Sequence, residues 1–124
     1  MTVTVTIPGE PVSLNNAYYT PRGQRRRVLS TEGRDFKTLV AYHVRQARVT
    51  APEGRLHLTL HLYGHWDTRA GVPRRRDVSN AAKLAEDALC EALGIDDCWI
   101  RRLTVVATHT PTQPRIVATL EALT

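Results

Sequence analysis

A chain of 124 residues makes one domain with a modest core, and its ordinary balance of apolar and charged residues excludes a disordered polymer. No apolar run nears the roughly 20 residues of a membrane span, and the N-terminus lacks a charged segment followed by an apolar one, so a cytoplasmic protein is expected. Lysine and arginine number 17 against 12 acids, and the net charge of +5 leans towards a polyanionic partner whose counterions are released on binding; a basic protein with no such partner is the competing reading.

Thr2 to Ile7 alternates threonine with Val3, Val5 and Ile7, the pattern of a half-buried strand that Pro8-Gly9 and Pro11 end. From Pro11 to Arg27 there is no clean period. This stretch predicts a long polar loop, in which Asn15, Asn16, Tyr18 and Tyr19 precede Arg22, Arg25, Arg26 and Arg27. Amides and aromatics beside arginines suit contact with sugar-phosphate and bases, and a solvated loop tip is the plainer alternative. Ser30 or Thr31 should cap a helix whose apolar stripe is Phe36, Leu39, Val40, His43, Val44 and Ala47; Arg34, Lys37, Arg45 and Arg48 fall off the stripe and are expected in solvent, with phosphate contact as the secondary reading.

Leu56, Leu58, Leu60 and Leu62 alternate with His57, Thr59, His61 and Tyr63, which predicts a strand with one apolar and one polar face. An irregular loop from Gly64 to Pro73 leads to Arg74-Arg75-Arg76-Asp77. A second helix is predicted over Val78 to Leu93, ended by Gly94. It buries Ala81, Leu84, Ala85, Ala88, Leu89 and Ala92. At 100° per residue Ser79, Lys83, Glu86, Asp87 and Cys90 gather on the opposite side. Trp99 to His109 and Arg115 to Leu123 read as the last two strands. The predicted fold is a small α/β domain over 1–124, a mixed sheet with two helices in the order β-α-β-α-β-β. The two cysteines have no zinc-ligand spacing and read as plain thiols.

The chemistry concentrates where three arginines run into an acid. Asp77 has the place of a helix N-cap, worth roughly 1 kcal/mol, and equally of a metal ligand, since a carboxylate has lone pairs for both. Asp96-Asp97 stands in extended chain before a strand, so one of the two should turn towards Asp77; a plain polar turn is the alternative. Lys83 and Asp87, four apart on a helix, have the spacing of a surface ion pair.

In order and spacing these segments resemble the RusA family of Holliday-junction resolvases over nearly the whole chain. The N-terminal pattern is seen in Pro11, Ser13, Asn15 and Tyr18, then the arginine-rich loop and Ser30-Thr31-Glu32-Gly33. The central motif Asp-x-Asp-Asn-x-x-Lys-x-x-x-Asp-Ala-Leu reads here as Asp77-Val78-Ser79-Asn80-Ala81-Ala82-Lys83-Leu84-Ala85-Glu86-Asp87-Ala88-Leu89. Gly94, Asp96 and Asp97 match the glycine and acid pair that follow. The resemblance implies a homodimeric, magnesium-dependent endodeoxyribonuclease of DNA recombination and repair, with manganese as a substitute metal, of a kind often encoded by phages or prophages. It would nick a four-way junction symmetrically on two strands. It assigns Asp77 and Asp97 to the metal and Lys83 to the scissile phosphate. Asn80 would hold the turn or the phosphate, Asp87 would orient Lys83, and Arg74, Arg75 and Arg76 would add positive charge for the DNA.

The chain departs from the motif at Ser79, where the family has its second aspartate. Either Ser79 ligates the metal directly or through water, or Glu86 reaches back along the helix face to replace the charge, or the site is weak or dead and the protein binds junctions without cutting them. A small basic RNA-binding protein is a further alternative.

Overall fold

The computed structural model describes residues 1–123. The long elements follow the expected order. They are β1 (Thr2–Pro8), α2 (Thr31–Ala47), β4 (Leu56–Gly64), α3 (Val78–Leu93), β5 (Ile100–His109) and β6 (Arg115–Ala122). Three short pieces are added to them: a single turn α1 (Leu14–Ala17), a hairpin of β2 (Tyr18–Tyr19) with β3 (Val28–Leu29), and a 3-10 turn at Asp97–Trp99. The stretch expected as one loop is thus partly ordered. Elements of two to four residues leave no period for a sequence reading to find.

The four long strands form one sheet in the order β1-β6-β4-β5. β6 pairs antiparallel with both β1 and β4, whereas β5 runs parallel to β4. The parallel pair requires a crossover, which α3 supplies between β4 and β5. Leu56, Leu58, Leu60 and Leu62, each at most 1 % exposed, line one sheet face beside Val3, Val5, Ile7, Ile116, Ala118 and Leu120, in one core with the apolar sides of α2 and α3. Truncating a leucine buried to this degree costs about 2–5 kcal/mol. The register slips by one residue between Leu56 and His57, leaving Arg101 bulged at the start of β5.

Among the described residues the other sheet face carries no helix. His57 and His61 bond Thr104 and Thr108 at 2.8 Å, Tyr63 stacks on His61, and the Arg115 guanidinium lies 3.9 Å over Tyr63. These histidines take part in no metal-capable group among the described residues.

Three expectations need correction. Lys37 is largely covered rather than solvated: its ammonium bonds Glu91 at 2.8 Å and lies 5.9 Å over the Tyr18 ring, tying α2 to α3. Burial acts to lower its pKa, but the bonds to Glu91 and Tyr18 outweigh that and raise it. Cys90, expected on the polar side of α3, is buried, while Ala47 at the end of α2 is exposed. The last turn before β5 is a 3-10 turn, so Trp99 precedes the strand and Asp97 lies in the turn, while Asp96, its N-cap, keeps the expected extended backbone.

Candidate nuclease site

α3 organises two neighbouring regions. At its N-terminus Asp77 is the N-cap: Oδ1 accepts from the Ser79 N–H at 2.9 Å. This end opens on a cleft of about 510 Å³ lined by Ser13, Asn15, Asn16, Arg75, Asp77 and Asn80, together with Glu10 and Glu32. The one-turn α1 brings the two asparagines here. Ser13 caps that turn, the Ser30 hydroxyl donates to the Asn16 carbonyl at 2.7 Å, and Gly33 packs directly on Ala17. A Cβ at position 33 would fall 2.5 Å from the Ala17 oxygen, so only glycine allows α2 to start this close to α1. Ser30 also caps α2, accepting from the Gly33 N–H at 3.0 Å. The two N-terminal pieces of the motif, far apart in sequence, form one joint.

The three arginines do different things. Arg76 is a staple: one guanidinium nitrogen donates to Glu10 Oε1 and the His65 carbonyl, the other donates to the Pro11 carbonyl, and the plane lies 4.0 Å over Trp66. Gly64 belongs to the same joint, since a Cβ there would meet Glu10 Oε1 at 2.6 Å. Arg74 donates through Nε to the Asp67 carbonyl. Arg75 is exposed on the cleft and makes no hydrogen bond among the described residues. Arg22, Arg25, Arg26 and Arg27 lie exposed on the loop of the β2–β3 hairpin, with Arg27 5.5 Å over Tyr18.

The second region is an acidic group on the polar side of α3. Glu86, Asp87 and Asp97 each offer a carboxylate oxygen within 4.8 Å of the others. Lys83 extends into this group, with Nζ 3.3 Å from Glu86, 3.2 Å from Asp87 and 3.6 Å from Asp97. Glu86 is only 12 % exposed, whereas Asp97 is about half exposed. The hydrogen bond to Asp87 raises the Lys83 pKa most; burial opposes it and Glu86 adds to it. Beneath them burial first, then Glu86, Asp97 and Asp87, pushes the Cys90 thiol up to about 12.

The structure separates the two adjacent acids. Asp96 caps the 3-10 turn, accepting from the Cys98 N–H at 2.9 Å, and this bond lowers its pKa. Asp97 joins the acidic group. Asp77 is not in that group: ten helical residues separate it from Asp87, roughly 15 Å along the axis. The acids fit a hard divalent ion in donor type, being carboxylate oxygens from two elements. Their 4.8 Å spread is close to the width of such an ion's shell, about twice a metal–oxygen bond of roughly 2.0–2.6 Å. Glu86 was signalled by its place on the Lys83 face. Glu10, the partner of Arg76, carried no local signal.

No curated protein sequence matches the chain. A family model described as endodeoxyribonuclease RusA matches residues 8–121, which span the Asn15–Asn16 turn, the Asp77 cleft and the acidic group at Lys83. By that match, over nearly its whole length, the chain belongs to the RusA endodeoxyribonuclease family.

Proposed function

We propose that this protein resolves four-way DNA junctions as a homodimer, by metal-dependent, paired and symmetric nicks. The observation that carries the reading is the gathering of Glu86, Asp87 and Asp97 around Lys83 in a basic chain of this family. Asp97, Glu86 and Asp87 would hold magnesium or manganese, and Asp77, at the cleft end of α3, is the further carboxylate the family motif assigns to the metal. The bound ion would supply an activated water and offset charge developing on the phosphate. The rest of the work falls to the chain. Arg75, Asn80, Asn15 and Asn16 seat a backbone segment at the N-terminus of α3, where the helix dipole also favours anions. Along α3 from Asn80 to Asp87 is about 10 Å, roughly three steps at 3.4 Å per nucleotide, so one strand reaches both regions. The hairpin arginines grip the duplex outside the cut. A twofold dimer gives each subunit one nick and matches the junction's own pseudo-twofold symmetry.

The test is a synthetic four-way junction labelled strand by strand, with and without magnesium or manganese. Paired nicks at symmetric positions are expected only with metal. Asp97→Asn should lose at least two orders of magnitude in cleavage rate while retaining junction binding. Tight binding with no nicks in either metal would leave a junction-binding protein, and preference for structured RNA would sink the assignment.

A further inference from the structure

We infer that Lys83 is a built-in competitor of the metal: its ammonium fills the space between Glu86, Asp87 and Asp97 in the metal-free protein, and metal loading releases it towards the DNA phosphate. This deepens the nuclease reading and rests on it.

The geometry carries the inference. One ammonium approaches all three carboxylates at 3.2–3.6 Å, and these are the same three whose oxygens converge within 4.8 Å. A divalent ion bound by those oxygens would stand within a few ångströms of Nζ, where like charges repel. Both cannot be held there at full strength. Lys83 is also free to leave. It is about half exposed, its stem is flexible, and all its partners in this position are the acids the metal would take. Its three donors would then be unsatisfied by protein and turned to solvent, where a phosphate is the natural acceptor. The device places the phosphate-binding cation in service only once the metal is present.

Two measurements test this, both independent of cleavage. Isothermal titration of the DNA-free protein with magnesium and manganese should show Lys83→Met binding about tenfold tighter than wild type, roughly 1.4 kcal/mol. Lys83→Arg, which keeps the charge, should not. Junction affinity is then measured against salt in EDTA and in calcium, used as a non-cleaving ion. In wild type the slope of log K on log salt should steepen on adding calcium by about 0.9 more than in Lys83→Met, the mark of one extra phosphate contact. Unchanged metal affinity in Lys83→Met, or equal slope changes in the two proteins, overturns the inference while leaving the nuclease reading intact. No metal binding by wild type or variant overturns both. Thermal unfolding in EDTA confirms that Lys83→Met is folded.

Discussion

Replacing Arg76 with alanine separates architecture from DNA contact within a run of three identical residues. Arg76 makes three hydrogen bonds and covers Trp66, while Arg75 beside it makes none among the described residues. The ion pair with Glu10 is partly solvated, at 24 % and 36 % exposure, so it is worth about 1 kcal/mol. The bonds to the His65 and Pro11 carbonyls add about 0.5–1.5 kcal/mol each, and the Trp66 face about 0.5–1 kcal/mol. The sum is about 2.5–5 kcal/mol. Glu10 Oε2 is already buried without a partner among the described residues, and truncation would leave the carboxylate with the His65 N–H on Oε1, at 2.7 Å, in place of the guanidinium. At about 2.1 cal/mol/K per residue, Arg76→Ala should lower Tm by roughly 10–19 °C. Arg75→Ala should leave stability within about 0.5 kcal/mol and instead flatten the salt dependence of junction binding by about 0.9. Urea unfolding and fluorescence anisotropy across a salt series measure the two effects. An Arg76→Ala protein with an unchanged midpoint and a flattened salt slope would refute the division of labour.

Gly33→Ala gains helix propensity but drives a methyl into the Ala17 backbone, and urea unfolding should show a net loss of about 1–3 kcal/mol with weaker junction binding, as α1 and its asparagines are displaced. At pH 8 a disulfide reagent should titrate Cys98 alone in the native protein and both thiols after denaturation, because Cys90 is buried and Cys98 is exposed. The thiol of Cys90 rises from 9.0 to about 12 on folding, so its contribution to stability is complete below about pH 9 and is lost as pH climbs towards 12; Cys90→Ala should flatten that alkaline fall. Glu86→Gln should weaken metal binding about tenfold in calorimetry without lowering Tm, since it removes a ligand and also one carboxylate from a crowded group.

The long elements were legible because each repeats one period for many residues. The leucines at 56, 58, 60 and 62 fix a strand and its buried face, and the alanines and leucines from Ala81 to Leu89 fix one side of α3. What escaped was tertiary. Lys37 reads as a solvated cation until Glu91, 54 positions away, is brought against it. Cys90 falls in the middle of the polar side of α3 at 100° per residue, and only tertiary packing buries it. Arg76 looks like its neighbours until Glu10, 66 positions upstream, takes it. His109 carried no signal for its role, which is to accept the N–H groups of Trp66 and Asp67 at the foot of the arginine loop. The acids of the site were all visible singly. Their grouping depended on a turn, Asp96 capping the N–H of Cys98, that sets Asp97 against α3 while Asp96 faces away.

Ser79 decides where the metal sits. In the family motif this position is the second aspartate. Were the ion held at the start of α3, between positions 77 and 79, this chain would have lost half its charge there. The structure places residue 79 on the exposed first turn beside Asp77, seven helical residues and roughly 10 Å of axis before Glu86. By that spacing a carboxylate restored at 79 is expected to add little to that group. Ser79→Asp should leave magnesium affinity of the DNA-free protein within about twofold of wild type. It should raise Tm by roughly 1–4 °C, because an acid in the first helical turn meets the helix dipole at about 0.3–1 kcal/mol. A gain in metal affinity of tenfold or more, about 1.4 kcal/mol, would put the ion at the N-terminus with Asp77. The acids around Lys83 would then be its structural partners, and the competition inferred for that lysine would fall with them.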